Sequence, residues 1–272
     1  MDYRVVISFA IAILIDFGFP IGVTIWFKRR YGSGWRVWLN GALIFAVFQL
    51  LSRVPLMLYL NSVVGPEIAE STILTVGWMA VAAVSAGLVE EIGRWLGYRF
   101  LFPRVGAELN WTNGVMYGLG HGGIESMILV GTLAVTSLIG YVLISPLDPS
   151  QIGTAFPAEQ LDAVLAAQEQ YRTMPPWQPI LGGVERILTL PIQVCLSVLV
   201  LQAFVRRERR WLWIAVLAHA LLDFIVPLVA RSGNLIVTEA VVAVFAAAAV
   251  WGIVRLRGGD PGPSLVEEPA AE

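Results

Sequence analysis

Charged side chains are scarce in this sequence. Lysine, arginine, aspartate and glutamate make up only 14% of the chain, whereas soluble domains carry roughly 25% charged residues. Hydrophobic residues account for 57% of the chain, and its mean hydropathy is +0.73. An ordinary soluble domain is therefore excluded, and we expect a multi-pass protein of the cell membrane. No basic cluster is larger than a loop, so we expect the lipid bilayer as a partner and not nucleic acid.

Cysteine and histidine are scarcer still. The single cysteine, Cys195, lies in an apolar run, so an internal disulfide and a multi-cysteine metal site are both excluded. The chain has only two histidines, His121 and His219, and each has a carboxylate four residues further on. Any imidazole chemistry must use these two positions.

Long apolar runs dominate what remains. A membrane helix needs about 20 apolar residues, and seven stretches reach that length, which predicts an all-α polytopic bundle. The expected spans are 5–27, 37–60, 73–102, 111–144, 180–205, 211–230 and 235–254. We expect one membrane domain over 1–255, with an extracytoplasmic loop at 145–178 that carries a short surface helix. The segment 256–272 is rich in Gly, Pro and acidic residues, so a disordered cytoplasmic tail is expected there.

The basic residues predict an orientation for these spans. Twelve of the 18 lysines and arginines follow spans one, three, five and seven, and three lie on the opposite side. Because cytoplasmic loops carry an excess of basic residues, the N-terminus is predicted outside and the C-terminus in the cytoplasm.

Three charges stand inside the third span. Residues 73–89 carry no charge, and Glu90, Glu91 and Arg94 follow in the same apolar run. Charges inside a membrane helix are costly and are functional by default. Glu90 and Arg94 are spaced for an i, i+4 ion pair, and Glu91 is turned by about 100°. One glutamate is therefore expected to pair with Arg94 while the other faces a site.

Other polar residues are predicted at a similar depth in the membrane. At about 1.5 Å per residue from the cytoplasmic ends, the depths are about 17 Å for Glu90 and Glu91, about 15 Å for His121, about 12 Å for His219, and about 18 Å for Asp223 and Gln193. These values define one layer about 6 Å thick. His121 and Glu125 share a helix face, as do His219 and Asp223. The sequence thus predicts that these side chains meet.

This mixture of side chains suits peptide hydrolysis. A glutamate in a low-dielectric pocket can act as general base toward water. Imidazole can orient the water, donate to an oxyanion or bind zinc, and i, i+4 His/Glu and His/Asp pairs are compatible with zinc. A glutamate-only site and a zinc site bound by His121, His219 and Glu90 both remain open.

The motifs resemble a known family. They are Glu90-Glu91-Ile-Gly-Arg94, Gly120-His121-Gly-Gly-Ile-Glu125, Glu185-Arg186 and His219-Ala-Leu-Leu-Asp223. In this order they are similar to the YhfC-type intramembrane proteases, within the group of CAAX prenyl proteases and bacteriocin-processing enzymes (CPBP or Abi). The resemblance covers spans three to six.

The resemblance implies an all-helical membrane endopeptidase that cuts a membrane-embedded or lipidated peptide. It implies Glu90 as the water-activating base, oriented by Arg94. It further implies that His121 and His219 bind the water or the oxyanion and that Asp223 holds His219. Where YhfC-like sequences carry a further histidine, this chain has Gln193, which is a hydrogen-bonding residue but a poor metal ligand, so the zinc interpretation is weakened.

Other interpretations compete with a peptidase. A proton-coupled transporter would use the same acids and histidines as a relay, and an inactive relative would only bind a membrane peptide. Glu185 and Arg186 lie away from the predicted layer and favour a structural or gating pair. Asp16 and Arg53 favour helix–helix or interfacial contacts.

Overall fold

The computed structural model describes residues 1–257, and these contain helices and no strand. Seven of the helices in this part of the chain are long and apolar enough to cross a membrane, as predicted. Their bounds are α1 Tyr3–Tyr31, α2 Trp35–Ala69, α3 Thr72–Arg104, α4 Trp111–Ile144, α7 Gln178–Val205, α8 Arg210–Ala230 and α9 Leu235–Leu256. Between α4 and α7 lie two short helices, α5 Pro149–Ala155 and α6 Leu161–Thr173. Most of the expected tail, residues 258–272, lies outside the described residues.

Local sequence signals fix several helix ends. Asp2, Ser71, Asn110 and Asn234 precede α1, α3, α4 and α9, and each accepts a hydrogen bond from a backbone N–H in the first turn. Such caps satisfy N–H groups that have no partner inside the helix. Gly32 ends α1 in the left-handed region, with φ of 79°, which costs glycine no steric strain.

The second span is longer than predicted. Composition ends the apolar stretch near residue 60, yet the α2 backbone stays helical to Ala69 and takes in Glu67. Helix propagation adds one hydrogen bond for each residue fixed, whether or not the side chain is apolar. Hydropathy therefore marks the expected membrane boundary and not the end of the helix.

The helix α7 lies at the centre of the bundle. In its most apolar stretch 67% of residues are buried inside the protein, against 17–33% in the other six spans. It packs against α1, α4, α8 and α9, while α2 packs on α4 and α3 packs on α8. Side chains that α7 directs toward α3 and α4 are consequently held away from lipid.

Glycines allow two of these helices to touch backbone to backbone. A Cβ on Gly41 of α2 would lie 2.0 Å from the Tyr117 carbonyl oxygen, and one on Gly120 of α4 would lie 1.9 Å from the Trp38 carbonyl oxygen. Any larger residue would force the helices apart. This close contact brings α2 against the turn of α4 that carries His121.

Three spans contain π-helical turns in their middle or last third. These turns are Ala46–Arg53 in α2, Gly97–Leu101 in α3 and Glu125–Gly131 in α4. Inserted π turns change the direction of side chains and occur frequently at functional sites. All three flank the buried charges of α3 or the histidine of α4.

The segment between α4 and α7 is tied to the end of α4. The Gln168 side chain is buried and donates to the carbonyls of Ile144 and Leu147 at 2.9 and 2.7 Å. Arg172 donates to the Leu147 carbonyl at 2.8 Å. These bonds hold α6 against the membrane domain.

Candidate active site

The three charged residues of α3 lie buried together. The side chains of Glu91 and Arg94 are 0% exposed, and that of Glu90 is 4% exposed. Arg94 Nη1 donates to Glu91 Oε1, and Arg94 Nη2 lies 3.5 Å from Glu90 Oε2. The guanidinium therefore contacts both carboxylates, whereas the sequence had predicted a pair with one of them.

His121 of α4 contacts the first glutamate. Its Nε2 lies 2.9 Å from Glu90 Oε2, and its ring packs edge-on against Phe45 with centroids 5.1 Å apart. The side chain is fully buried, and among the described residues its Nδ1 has no hydrogen-bond partner. Because a carboxylate only accepts, the imidazole donates from Nε2 to Glu90.

His219 of α8 contacts the second glutamate. Its Nδ1 lies 2.6 Å from Glu91 Oε1, while its Nε2 lies 3.8 Å from Glu90 Oε1 and 3.7 Å from Asp223 Oδ2. The two longer separations exceed hydrogen-bond range. The resemblance had implied that Asp223 holds His219, but in the structure Glu91 makes the direct contact.

Gln193 of α7 completes the network. Its Oε1 accepts a hydrogen bond from Arg94 Nη2, and only 7% of the residue is exposed. The hydrogen-bond acceptor of the glutamine side chain is thereby fixed, so its amide NH₂ group is the part left to donate elsewhere. The predicted convergence of α3, α4, α7 and α8 in one layer matches these contacts.

Gln49 of α2 also belongs to this network, and the sequence analysis missed it. Its Nε2 donates to Glu90 Oε1, and its Oε1 accepts from Arg53 Nη1 at 3.3 Å. The residue is 6% exposed and lies in the π-helical turn of α2. A buried amide four residues before an intramembrane arginine was the available signal.

Glu125 does not contact His121 as the shared helix face predicted. Its Oε1 lies 3.4 Å from Arg186 Nη1, and Arg186 Nη2 lies 2.6 Å from Glu185 Oε1. The π-helical turn of α4 begins at Glu125, so the rotation per residue that would align positions i and i+4 no longer holds. Glu125 instead joins a second, separate ion cluster.

A cavity of about 290 Å³ lies beside the second cluster and reaches Gln193 and Asp223. Its wall includes Gln193 and Asp223 from the candidate site, Glu125 and Arg186 from the second cluster, and Arg53. Arg53 donates to the Ala82 carbonyl at 2.6 Å and to Ser85 Oγ at 3.1 Å, a helix–helix contact as expected. The Glu185–Arg186 pair, predicted away from the site, therefore shares its cavity.

The arrangement does not fit the zinc site considered from the sequence. Structural and catalytic zinc sites use at least three protein ligands at about 2.0–2.3 Å from the metal. Both oxygens of Glu90 accept from protein donors, and His121 Nε2 is directed at one of them. Within residues 1–257 no group of three His, Cys, Asp or Glu side chains could hold a metal ion. His219 Nε2 and Asp223 alone do not make a zinc site.

The charges of the network nearly balance. Two carboxylates face the Arg94 guanidinium, so a single protonated imidazole brings the sum to zero. An uncompensated charge in a low-dielectric interior is costly, and paired charges with satisfied hydrogen bonds are tolerated. The five side chains therefore form one electrostatic unit.

A family model described as "YhfC intramembrane metalloprotease" matches residues 12–246 of the chain. The chain belongs to the YhfC family. The Bacillus subtilis (strain 168) protein described as "Uncharacterized membrane protein YhfC" is 33% identical over 262 residues, covering 94% of this chain and 98% of that protein. No solved structure matches the chain.

The YhfC match extends from α1 into α9, so all seven spans contribute to it. Membership in this family, together with the seven helices, makes the chain a multi-pass membrane protein. The family's description is that of a protease.

Proposed function

We propose that this YhfC protein is an intramembrane endopeptidase in which Glu90 activates the hydrolytic water. The observation that carries the proposal is the buried network itself, in which two adjacent carboxylates of α3 each contact a histidine from another helix. Ordering two acids, two imidazoles and a guanidinium inside a membrane domain is costly, and function is the usual reason for it.

The geometry around His219 supports a position for the water. His219 Nε2 stands 3.8 Å from Glu90 Oε1 and 3.7 Å from Asp223 Oδ2, beyond direct hydrogen-bond range, and we place the hydrolytic water in contact with these three groups. In this mechanism Glu90 takes a proton from the water, and the resulting hydroxide attacks the scissile carbonyl. Glu90 then passes the proton to the leaving amine.

Gln193 and the protonated form of His219 are the proposed donors to the oxyanion. Arg94 fixes the Gln193 carbonyl oxygen, and Gln193 lines the cavity of about 290 Å³, which suits its NH₂ group for donation to a bound peptide. Glu91 positions His219 through Nδ1, and His121 positions Glu90 through Nε2. Arg94 offsets the negative charge of the two carboxylates. Loss of its contact with either carboxylate would move the base, Glu90, out of position.

The proposed substrate is a peptide segment that enters the cavity from the bilayer. We place residues 1–255 in the membrane as one domain, with the N-terminus and segment 145–178 outside and the C-terminus in the cytoplasm, following the basic residues. The motif order also supports a relationship to the CAAX-protease and bacteriocin-processing group. A lipidated peptide also belongs to this proposed class of membrane-borne peptide substrates.

The central experiment compares purified, reconstituted variants on a library of membrane peptides, with cleavage read by mass spectrometry. Glu90→Gln, His121→Gln and His219→Gln should each lower cleavage by about 10²–10⁴-fold, while the exposed control Glu70→Gln keeps it. Full cleavage by the Glu90→Gln variant would falsify the proposed base.

Two further measurements separate the alternatives. Because the reaction proposed here uses side chains only, a metal chelator should leave cleavage unchanged, and loss restored by zinc would contradict it. A proton flux in liposomes that requires Glu90 would favour a transporter. Binding of membrane peptides without cleavage by any preparation would favour an inactive relative.

A further inference from the structure

A second cavity, of about 380 Å³, is lined by none of the residues of the charged network. It is a groove between α1, α4, α7 and α9. Its floor is apolar and buried, with Val115, Leu119, Leu190 and Val194 each at most 5% exposed. Its rim is exposed: Trp26, Val250 and Val254 are 59%, 49% and 66% exposed. The groove therefore opens sideways, from a closed floor toward the bilayer.

Two arginines stand at one end of this groove. Arg257 lines the groove, and its guanidinium lies 5.0 Å from the centre of the Trp111 ring and 5.5 Å from that of Tyr31. Arg30 approaches the same Tyr31 ring at 5.3 Å. Both arginines are exposed, and neither has an ion-pair partner among residues 1–257. The groove thus has a cationic mouth and an apolar body.

A hydrogen bond and an aromatic contact hold the mouth of the groove in place. Trp111 Nε1 donates to the Ile253 carbonyl of α9 at 2.8 Å, which ties the start of α4 to α9 beside the arginines. Tyr31 packs edge-on against Trp111 with ring centroids 5.7 Å apart. Aromatic residues of this kind lie at the membrane–water boundary. The arginines are therefore placed at headgroup level.

The groove has the dimensions of one lipid chain. Its α1 wall runs from Phe19 to Tyr31, which is about 18 Å of helix, and half of a bilayer's hydrocarbon core is about 15 Å. An extended peptide would bring N–H and C=O groups that this apolar floor cannot satisfy. An acyl chain brings none.

We propose that this groove binds an anionic phospholipid, with an acyl chain on the apolar floor and the phosphate between Arg257 and Arg30. Basic pockets between membrane helices attract anionic headgroups, and each nearby arginine adds to that attraction. The site is distinct from the charged network, and its occupancy does not depend on the proposed peptidase activity.

The test is native mass spectrometry of the full-length protein in detergent with equal amounts of phosphatidylglycerol and phosphatidylcholine of identical chains. The wild type should retain phosphatidylglycerol preferentially, and the preference should fall about fivefold for each of Arg30→Gln and Arg257→Gln. Arg255→Gln is the matched control, because Arg255 is exposed on the same helix end and does not line the groove.

A second pair of variants tests the apolar body. Val250→Trp at the rim should lower retention of both lipids, whereas Val244→Trp, on an outward-facing position of the same helix that is 70% exposed, should not. Equal retention of the two lipids by the wild type would overturn the proposal. A loss of lipid preference in Arg255→Gln equal to that in Arg257→Gln would also overturn it. So would displacement of the phospholipid from the wild type by a lipidated peptide, if the Val250→Trp variant no longer bound that peptide.

Discussion

Two ion clusters of similar composition lie in this membrane domain, and they differ in surroundings. Each has two glutamates and one arginine: Glu90, Glu91 and Arg94 in the candidate site, and Glu125, Glu185 and Arg186 beside the cavity. The side chains of the first cluster are 0–4% exposed, while those of the second are 10–38% exposed. Among the described residues, only the first cluster contacts histidines, and it accepts a hydrogen bond from Gln49 and donates one to Gln193.

The difference shows that the same composition can produce two clusters with different burial and different partners. A carboxylate surrounded by protein donors and shielded from water interacts strongly with every neighbouring charge. An ion pair beside a polar cavity is screened and contributes little. Substitution of the same residue type in each cluster compares their effects on activity and stability.

The largest expected difference is in activity. Glu90→Gln keeps the shape of the side chain and removes the base, so cleavage should fall by about 10²–10⁴-fold. Glu185→Gln should change it by less than about tenfold. The cleavage rate of one membrane peptide would be measured for both variants. Comparable losses of rate would show that the two clusters do not differ in function.

The next difference is in stability. Arg94→Met leaves two buried carboxylates without their cation, which should lower the free energy of unfolding by about 3–5 kcal/mol. Arg186→Met removes a partly exposed pair and should cost about 0–1 kcal/mol. Thermal unfolding in detergent would measure both, and an equally large loss in Arg186→Met would show that the cavity cluster is as tightly coupled as the site.

Substitution of Gln49 tests whether the first cluster extends to α2. Gln49→Leu removes the neutral donor to Glu90, and a hydrogen bond to a charged group contributes about 1.5–3 kcal/mol, so kcat should fall by about 10–100-fold. As a positioning residue, it should leave KM nearly unchanged and alter the pH profile of kcat. Gln49→Glu and Gln49→Asn should then differ, because only the asparagine keeps a neutral amide.

Asp223 should show the smallest effect within the site. Its carboxylate lies 3.7 Å from His219 Nε2, whereas Glu91 lies 2.6 Å from His219 Nδ1. Asp223→Asn retains an oxygen that can accept from water, so cleavage should fall by less than about tenfold. A loss as large as that of Glu90→Gln would mean that Asp223, and not Glu91, controls the imidazole.

Much of the architecture could be predicted because apolar length is a local property. The fourth span was predicted at 111–144 and is observed at Trp111–Ile144, where Asn110 caps its start. The shared layer of Glu90, His121, Gln193 and His219 followed from helix rise alone. The pairing of Glu125 failed, because a π turn changes side-chain direction without an obvious signal in the sequence.

The sequence by itself determined that this chain forms seven membrane helices, and it predicted one depth for Glu90, Glu91, His121 and His219. Hydrophobic length and rise per residue are sufficient for both conclusions. Only the tertiary structure decided which groups touch. In the structure Glu91 pairs with His219, Glu125 with Arg186 and Gln49 with Glu90. These contacts could not be read from the sequence, because the rotation of each helix about its axis depends on packing against its neighbours.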